Sequence, residues 1–395
     1  MLLPGQQAVR TGGDADGLRK DSGVEECWDA VVVYGTAGPA AFLIGTAFVF
    51  GLAASSIAVA AGALSRWPSA FRILPFAVVV VGLGSVTMMA VSASWEIVRE
   101  VSRGFAADGF WMMVFSILIA TVAGMILCAM VGASALAHPY ENRSTPFRVF
   151  ALTALVAGAV WMAFLIRHFA ARFVRSPPDA EVQWGYAVTA AAILAIFCIF
   201  AATEEERLTP RMRERVPRRA SLALLVTPLL PGAGRGMLFT VLLAALALLL
   251  PLGLGTLFGF PPADREIVGL AIASWLYVVF YAGVAALVRI RLGGGGARNW
   301  LARATLPVLL MAGVLLPLLF EVIVHGRAQR GWHFYEILNP FHTLNHYLSK
   351  SRTPFEVLPA LLILTGVVLL FLLPVMARGV RDVLAASAER RNRAS

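Results

Sequence analysis

The sequence predicts an all-α fold, a polytopic transmembrane helix bundle of about nine spans. Hydrophobic residues make up 59% of the chain and charged residues only 14%, far from the near-half apolar, quarter-charged make-up of soluble domains. The mean hydropathy is +0.77. Long charge-free windows recur along the chain, and arginines collect in the short stretches between them. A chain of 395 residues has room for one such bundle, and no stretch between the windows is long enough to fold as a separate soluble domain.

A bilayer core takes roughly 20 apolar residues of helix, because every backbone N–H and C=O must find its partner inside the segment. The windows run from Ala30 to Ser65, Ile73 to Trp95, Gly109 to Ala137, Val149 to Ile166 and Val182 to Thr203. They continue from Gly236 to Ala263, Ile267 to Val288, Ala304 to Phe320 and Val357 to Ala377. Gly38-Pro39 breaks the start of the first window, which places its span at about residues 40–64. The organisation that follows is a polar acidic N-terminal tail over 1–29, a transmembrane helical domain over 30–380 and a basic tail over 381–395. The acidic opening, with Asp14, Asp16, Asp21, Glu25, Glu26 and Asp29, is unlike a cleaved secretory signal.

Orientation follows from arginine in the short loops. The richest segment, Glu204–Arg219, is placed inside. Counting spans in both directions puts Arg289, Arg291 and Arg298, the C-terminal tail, and Arg143 with Arg148 on the same side. The expected location is the inner, cytoplasmic membrane of a bacterium, with the C-terminus cytoplasmic and the N-terminus outside. Arg167, Arg172 and Arg175 fall on the outer side and run against the rule.

Three connecting stretches read as interfacial helices. Trp95, Val98, Val101 and Phe105 recur at helical spacing opposite Glu96, Arg99, Glu100 and Arg103. Leu208, Met212 and Val216 run as a stripe through the arginine cluster. Trp332–Leu348 carries the aromatic chemistry of the headgroup boundary. Gly293–Gly296 reads as a flexible connector.

The sequence shows no catalytic, cofactor-binding or metal-binding set, and the expectation is a protein that is not an enzyme. A net charge of +10 is dispersed in clusters between spans, which suits membrane lipid and not nucleic acid. Cys27, Cys128 and Cys198 have no metal-ligand spacing. His342 and His346, with His333 and Glu336 upstream, read as headgroup-level polar groups. Glu321 reads as an interfacial carboxylate near His325 and Arg327. A paired-glutamate protease motif fails because Thr209 or Pro210 stands where arginine is needed. Neither lysine, Lys20 or Lys350, lies in a phosphate-cradling glycine loop, so nucleotide would have to be bound by another polypeptide.

The stretch Leu338-Asn339-Pro340-Phe341-His342-Thr343-Leu344, just before the last window, resembles the N-P-[LF]-x-x-[LAV] element of ABC-2-type exporter permeases. Looser likeness extends over Thr203 to the C-terminus. The resemblance implies that Asn339, Pro340, Phe341 and His342 belong to a re-entrant outer element, and that a separate ABC ATPase energises a homo- or heterodimer. It also implies that Arg207, Arg211, Met212, Arg213 and Arg215 form the ATPase contact, for which an anchor on anionic lipid is the alternative. Typical members have six spans with both termini inside, and the glutamate-rich loop ending in Gly-Thr-x-Glu has at most a remnant in Glu141–Thr145. A non-transporting membrane scaffold or assembly subunit is the other functional expectation.

Overall fold

The computed structural model describes residues 144–173, 181–205, 208–292 and 357–393, together with parts of 115–130 and 301–344. Two compact units divide the chain, Met1–Gly132 and Ala133–Ser395. Within the first, the described residues, all between 115 and 130, are helical. The windows Ala30–Ser65 and Ile73–Trp95, the Trp95–Phe105 stripe and the Gly293–Gly296 connector lie outside the described residues.

The second unit is helical throughout its described elements: α1 (Ser144–Phe173), α2 (Glu181–Ala202), α3 (Pro210–Arg215), α4 (Ala220–Val226) with a 3-10 turn at Thr227–Leu229, α5 (Ala233–Phe258), α6 (Arg265–Leu292) and α7 (Val357–Asn392). Five of these, α1, α2, α5, α6 and α7, are long and apolar enough to cross a membrane. Each coincides with an expected window: α1, α6 and α7 run past theirs, whereas α2 stops one residue short of its window's end and α5 stops at Phe258, where Gly259 in the left-handed conformation ends the helix before the window does. The described residues thus give a multi-pass helical bundle.

Packing ranks the helices. In α6, 67% of the most apolar window is buried, against 28% in α1 and α7, so α6 is the central helix. Trp275, 1% exposed, anchors it to α2 by donating from Nε1 to the Ala187 carbonyl at 3.0 Å. The main core joins Leu155 of α1, Leu194 and Cys198 of α2, Met237, Phe239 and Leu243 of α5, Trp275 and Val279 of α6 and Leu372 of α7. Outward, α5 and α7 expose Leu249, Leu252, Leu362, Ile363, Leu370 and Phe371. An apolar belt of this extent is what a helix surface bathed in hydrocarbon requires.

Helices α5 and α2 cross at unusually short range. A Cβ at Gly236 would collide with the Ala201 carbonyl, so only glycine allows the two backbones to meet there. Direction is legible from contacts. Val357 and Leu361 of α7 pack with Leu270 and Tyr277 in the first half of α6, while Gly379 meets Arg235 at the start of α5. Helices α6 and α7 therefore run parallel. Among the described residues between them, Arg303 lies beside Thr203 and Ile337 against Tyr277.

Candidate functional site

Two regions combine chemistry-bearing residues with defined positions. The first lies at the end of the bundle where α1 and α5 begin and α2 and α6 finish, here called the arginine end.

Arg148, in the first turns of α1, is 2% exposed. Its Nη1 donates to the carbonyls of Pro228, at 2.8 Å, and Leu230. Its Nη2 donates to Ala201 O at 3.3 Å and pairs with Glu204 Oε2 at 2.6 Å. The same carboxylate oxygen accepts from the Gly232 amide at 3.3 Å. Gly232 has φ of 133°, a conformation natural to glycine, which turns the chain into α5. One guanidinium thus ties the end of α2 and the α4–α5 turn to α1. The fork of five donors, not charge alone, makes this possible.

Two further arginines lie at this end of the bundle, of which Arg303 feels the Glu204 carboxylate. Arg235, 1% exposed, donates from Nε to Pro231 O at 2.6 Å and from Nη1 to Gly379 O at 3.4 Å, joining α5 to α7. Arg303 donates to Thr203 Oγ1 at 3.2 Å and stacks over Phe200 at 4.3 Å. Burial lowers the Arg303 pKa from its ordinary value, while the Glu204 carboxylate raises it and Arg289 lowers it further.

Beyond this cluster α7 continues as helix through the stretch expected to be a basic tail. Val383 and Ala386 pack against Val216, Ala223 and Leu230, with Leu208 and Val226 alongside. Ser387 donates to the Pro217 and Arg218 carbonyls at 2.8 and 3.0 Å, and Arg390 Nη1 to Val216 O at 2.6 Å. The Leu208–Val216 stripe is therefore covered within the chain, and Met212 is buried. Thr209 caps α3 by accepting from the Met212 amide, with Pro210 in the first turn. The arginines Arg211, Arg213 and Arg215 are exposed, as are Arg218, Arg219, Arg381 and Arg391. Arg207 lies outside the described residues.

The second region is the segment with the Asn-Pro motif. Asn339 and Pro340 are buried, and Phe341 and His342 lie outside the described residues. The 3-10 turn at Ile337–Leu338 sits against the middle of α6, where Tyr277 Oη donates to Ile337 O at 2.6 Å and Tyr281 Oη to Leu338 O at 2.5 Å. The two rings stack at 6.2 Å. Backbone that leaves regular helix at bundle depth needs such partners, since no water is there to supply them.

No protein-family model, curated protein or solved structure matches this chain. Among the described residues no group of three or more His, Cys, Asp and Glu could hold a metal ion.

Sequence reasoning finds the exposed arginines and the Asn-Pro motif but misses the residues that hold them. Arg148 and Arg235 stand just outside their apolar windows, where they read as loop charges. The available signal is Glu204, one residue past the end of the α2 window, where it can face an arginine in the first turns of a neighbouring span. Tyr277 and Tyr281 share a helix face by their spacing of four, a signal that a search for ionisable groups passes over.

Proposed function

We propose that this chain is a permease-like membrane subunit of an ABC-type exporter, with nine spans and a cytoplasmic C-terminus, energised by a separate ATPase. The observation that supports this reading most is the joining of α7 to α3 and α4. One helix carries both a candidate span, beginning at Val357, and an extension fixed to the arginine-bearing segment by Ser387, Arg390, Val383 and Ala386. A force applied to the exposed guanidiniums of Arg211, Arg213 and Arg215 passes into a transmembrane helix without an intervening loop. An acidic surface on the ATPase suits that basic face. The turn at Ile337–Pro340, fixed by Tyr277 and Tyr281, suits a gate on the outer side of the path. Low polarity among the described bundle residues favours an amphipathic, lipid-like cargo.

A membrane scaffold is the second reading, favoured by one observation. Helix α4 exposes Leu222, Leu224 and Leu225 directly after Arg218 and Arg219, a composition suited to an anionic bilayer surface. Both readings meet one experiment: purification of the tagged chain in mild detergent with a candidate ATPase co-expressed, followed by charge reversal at Arg211 and Arg215. Co-purification that the reversal abolishes supports the exporter. Failure of any ATPase to accompany the chain, with unchanged lipid retention in the reversed variant, removes it.

A further inference from the structure

Arg303 differs from Arg148 and Arg235 at the same end of the bundle, because most of its donors meet nothing. Its Nε donates to Thr203 Oγ1 at 3.2 Å, and its guanidinium carbon lies 4.3 Å from the centre of the Phe200 ring. The four N–H groups on its two terminal nitrogens have no acceptor among the described residues. The side chain is part-buried, so these donors are neither sealed in the core nor fully bathed in water. Glu204, the carboxylate that acts on it, is already held by Arg148 Nη2 and the Gly232 amide, while Arg289 acts on it as a like charge. A half-shielded guanidinium whose one hydrogen-bond partner is a neutral hydroxyl calls for an anion.

The surroundings select the kind of anion. With one face on Phe200 and Nε on Thr203, the edge left open is the end-on fork of Nη1 and Nη2, whose paired donors match two oxygens of a phosphate. Arg303 stands just before the Ala304–Phe320 window and beside the last turn of α2, the level at which both apolar runs end. The face of α2 that leads to Phe200 is open and apolar: Ile193 is 61% exposed, and Ile196 and Phe200, three and seven residues on, share its side of the helix. A phosphate ion in solution would use the fork and leave this strip bare, whereas a phospholipid uses both.

We propose that Arg303 binds the phosphate of an anionic phospholipid, whose acyl chain lies along Ile193, Ile196 and Phe200. The fork holds the headgroup against the end of α2, and the strip supplies a contact that a soluble anion lacks. A net-negative lipid is preferred to a zwitterionic one, because Arg289 adds a second positive charge nearby. This inference is independent of the exporter reading and survives its failure.

The test titrates the full chain, freed of lipid in mild detergent, with phosphatidylglycerol and counts bound lipid by native mass spectrometry. Arg303→Gln removes the charged fork and is expected to weaken binding of the first lipid about tenfold, as loss of a charged hydrogen-bonding partner does. Equal affinity in the two chains overturns the proposal. Inorganic phosphate is expected to leave the bound lipid in place; displacement by it would reveal an anion site without an acyl contact and overturn the lipid assignment. A second measurement uses the native chain alone and so does not depend on the variant folding. Phosphatidylglycerol with a photoactivatable diazirine in its acyl chain, incorporated in nanodiscs, is expected to crosslink to the α2 peptide containing Ile193 and Ile196 in preference to the matching phosphatidylcholine. Equal yields from the two lipids, or labelling confined to other helices, would mean that the strip meets only bulk bilayer and would sink the proposal.

Discussion

The guanidinium of Arg148 pairs with the carboxylate of Glu204 at 2.6 Å, joining the start of α1 to the residue just past α2 across 56 positions of sequence. The pair is useful because neither partner acts alone: the arginine also holds carbonyls of the α4–α5 turn, and the carboxylate also holds the Gly232 amide.

Removing one member should therefore cost more than a surface ion pair does. Arg148→Ala strands a shielded carboxylate and several carbonyls, and a loss of about 3–5 kcal/mol is expected. Arg148→Lys should rescue little, because an ammonium cannot span the fork of acceptors. Thermal unfolding in detergent, read for both variants, checks this. A lysine variant melting like the native chain would refute the fork argument.

The α2–α5 crossing offers a paired comparison on one helix. Gly236→Ala places a methyl group against the Ala201 carbonyl and should destabilise by about 1–3 kcal/mol or more, as overpacking does. Gly253→Ala meets nothing within 4 Å and should stabilise by roughly 0.5–1 kcal/mol through helix propensity. Opposite signs in the two melting shifts are the expected result.

Tyr277→Phe and Tyr281→Phe each keep the ring and delete one donor to the Ile337–Leu338 turn. Tyr277→Phe should cost about 1–3 kcal/mol, the penalty of an unsatisfied buried carbonyl, and Tyr281→Phe less, because its bond to Leu338 is only part-buried. A cysteine introduced at Asn339, buried in the native chain, should label faster with a small maleimide in both variants. Unchanged labelling would show that the tyrosines do not fix the turn.

At the arginine end, two variants should separate folding from partnership. Arg211→Glu with Arg215→Glu alters exposed groups and should leave the melting temperature within a degree or two, as surface changes of about 0.5 kcal/mol or less do. Val383→Asp places a charge in the small core shared by α3, α4 and α7 and should release the α7 extension to protease. Limited proteolysis after Arg381 measures the difference.

The spans of this bundle are readable because hydrocarbon imposes one rule on every residue of a helix, and charge-free windows report it directly. The same rule hides the site. Arg148 and Arg235 border their apolar windows, where a charge can equally reach water or turn inward, and only the Gly236–Ala201 crossing decides that they turn inward. Leu208, Met212 and Val216 read as an apolar face, yet nothing in their spacing says that α7 covers it. That pairing joins residues some 170 positions apart, a distance at which local periodicity carries no information.

Helix α7 has 36 residues, a length of about 54 Å at 1.5 Å per residue. A bilayer interior takes up about 30 Å of it. With Val357 packed at one end of the bundle, the remainder is a mast stayed on one side by α3 and α4, through Val383, Ala386, Ser387 and Arg390. A tilt of the apolar half would therefore drag those two short helices with it.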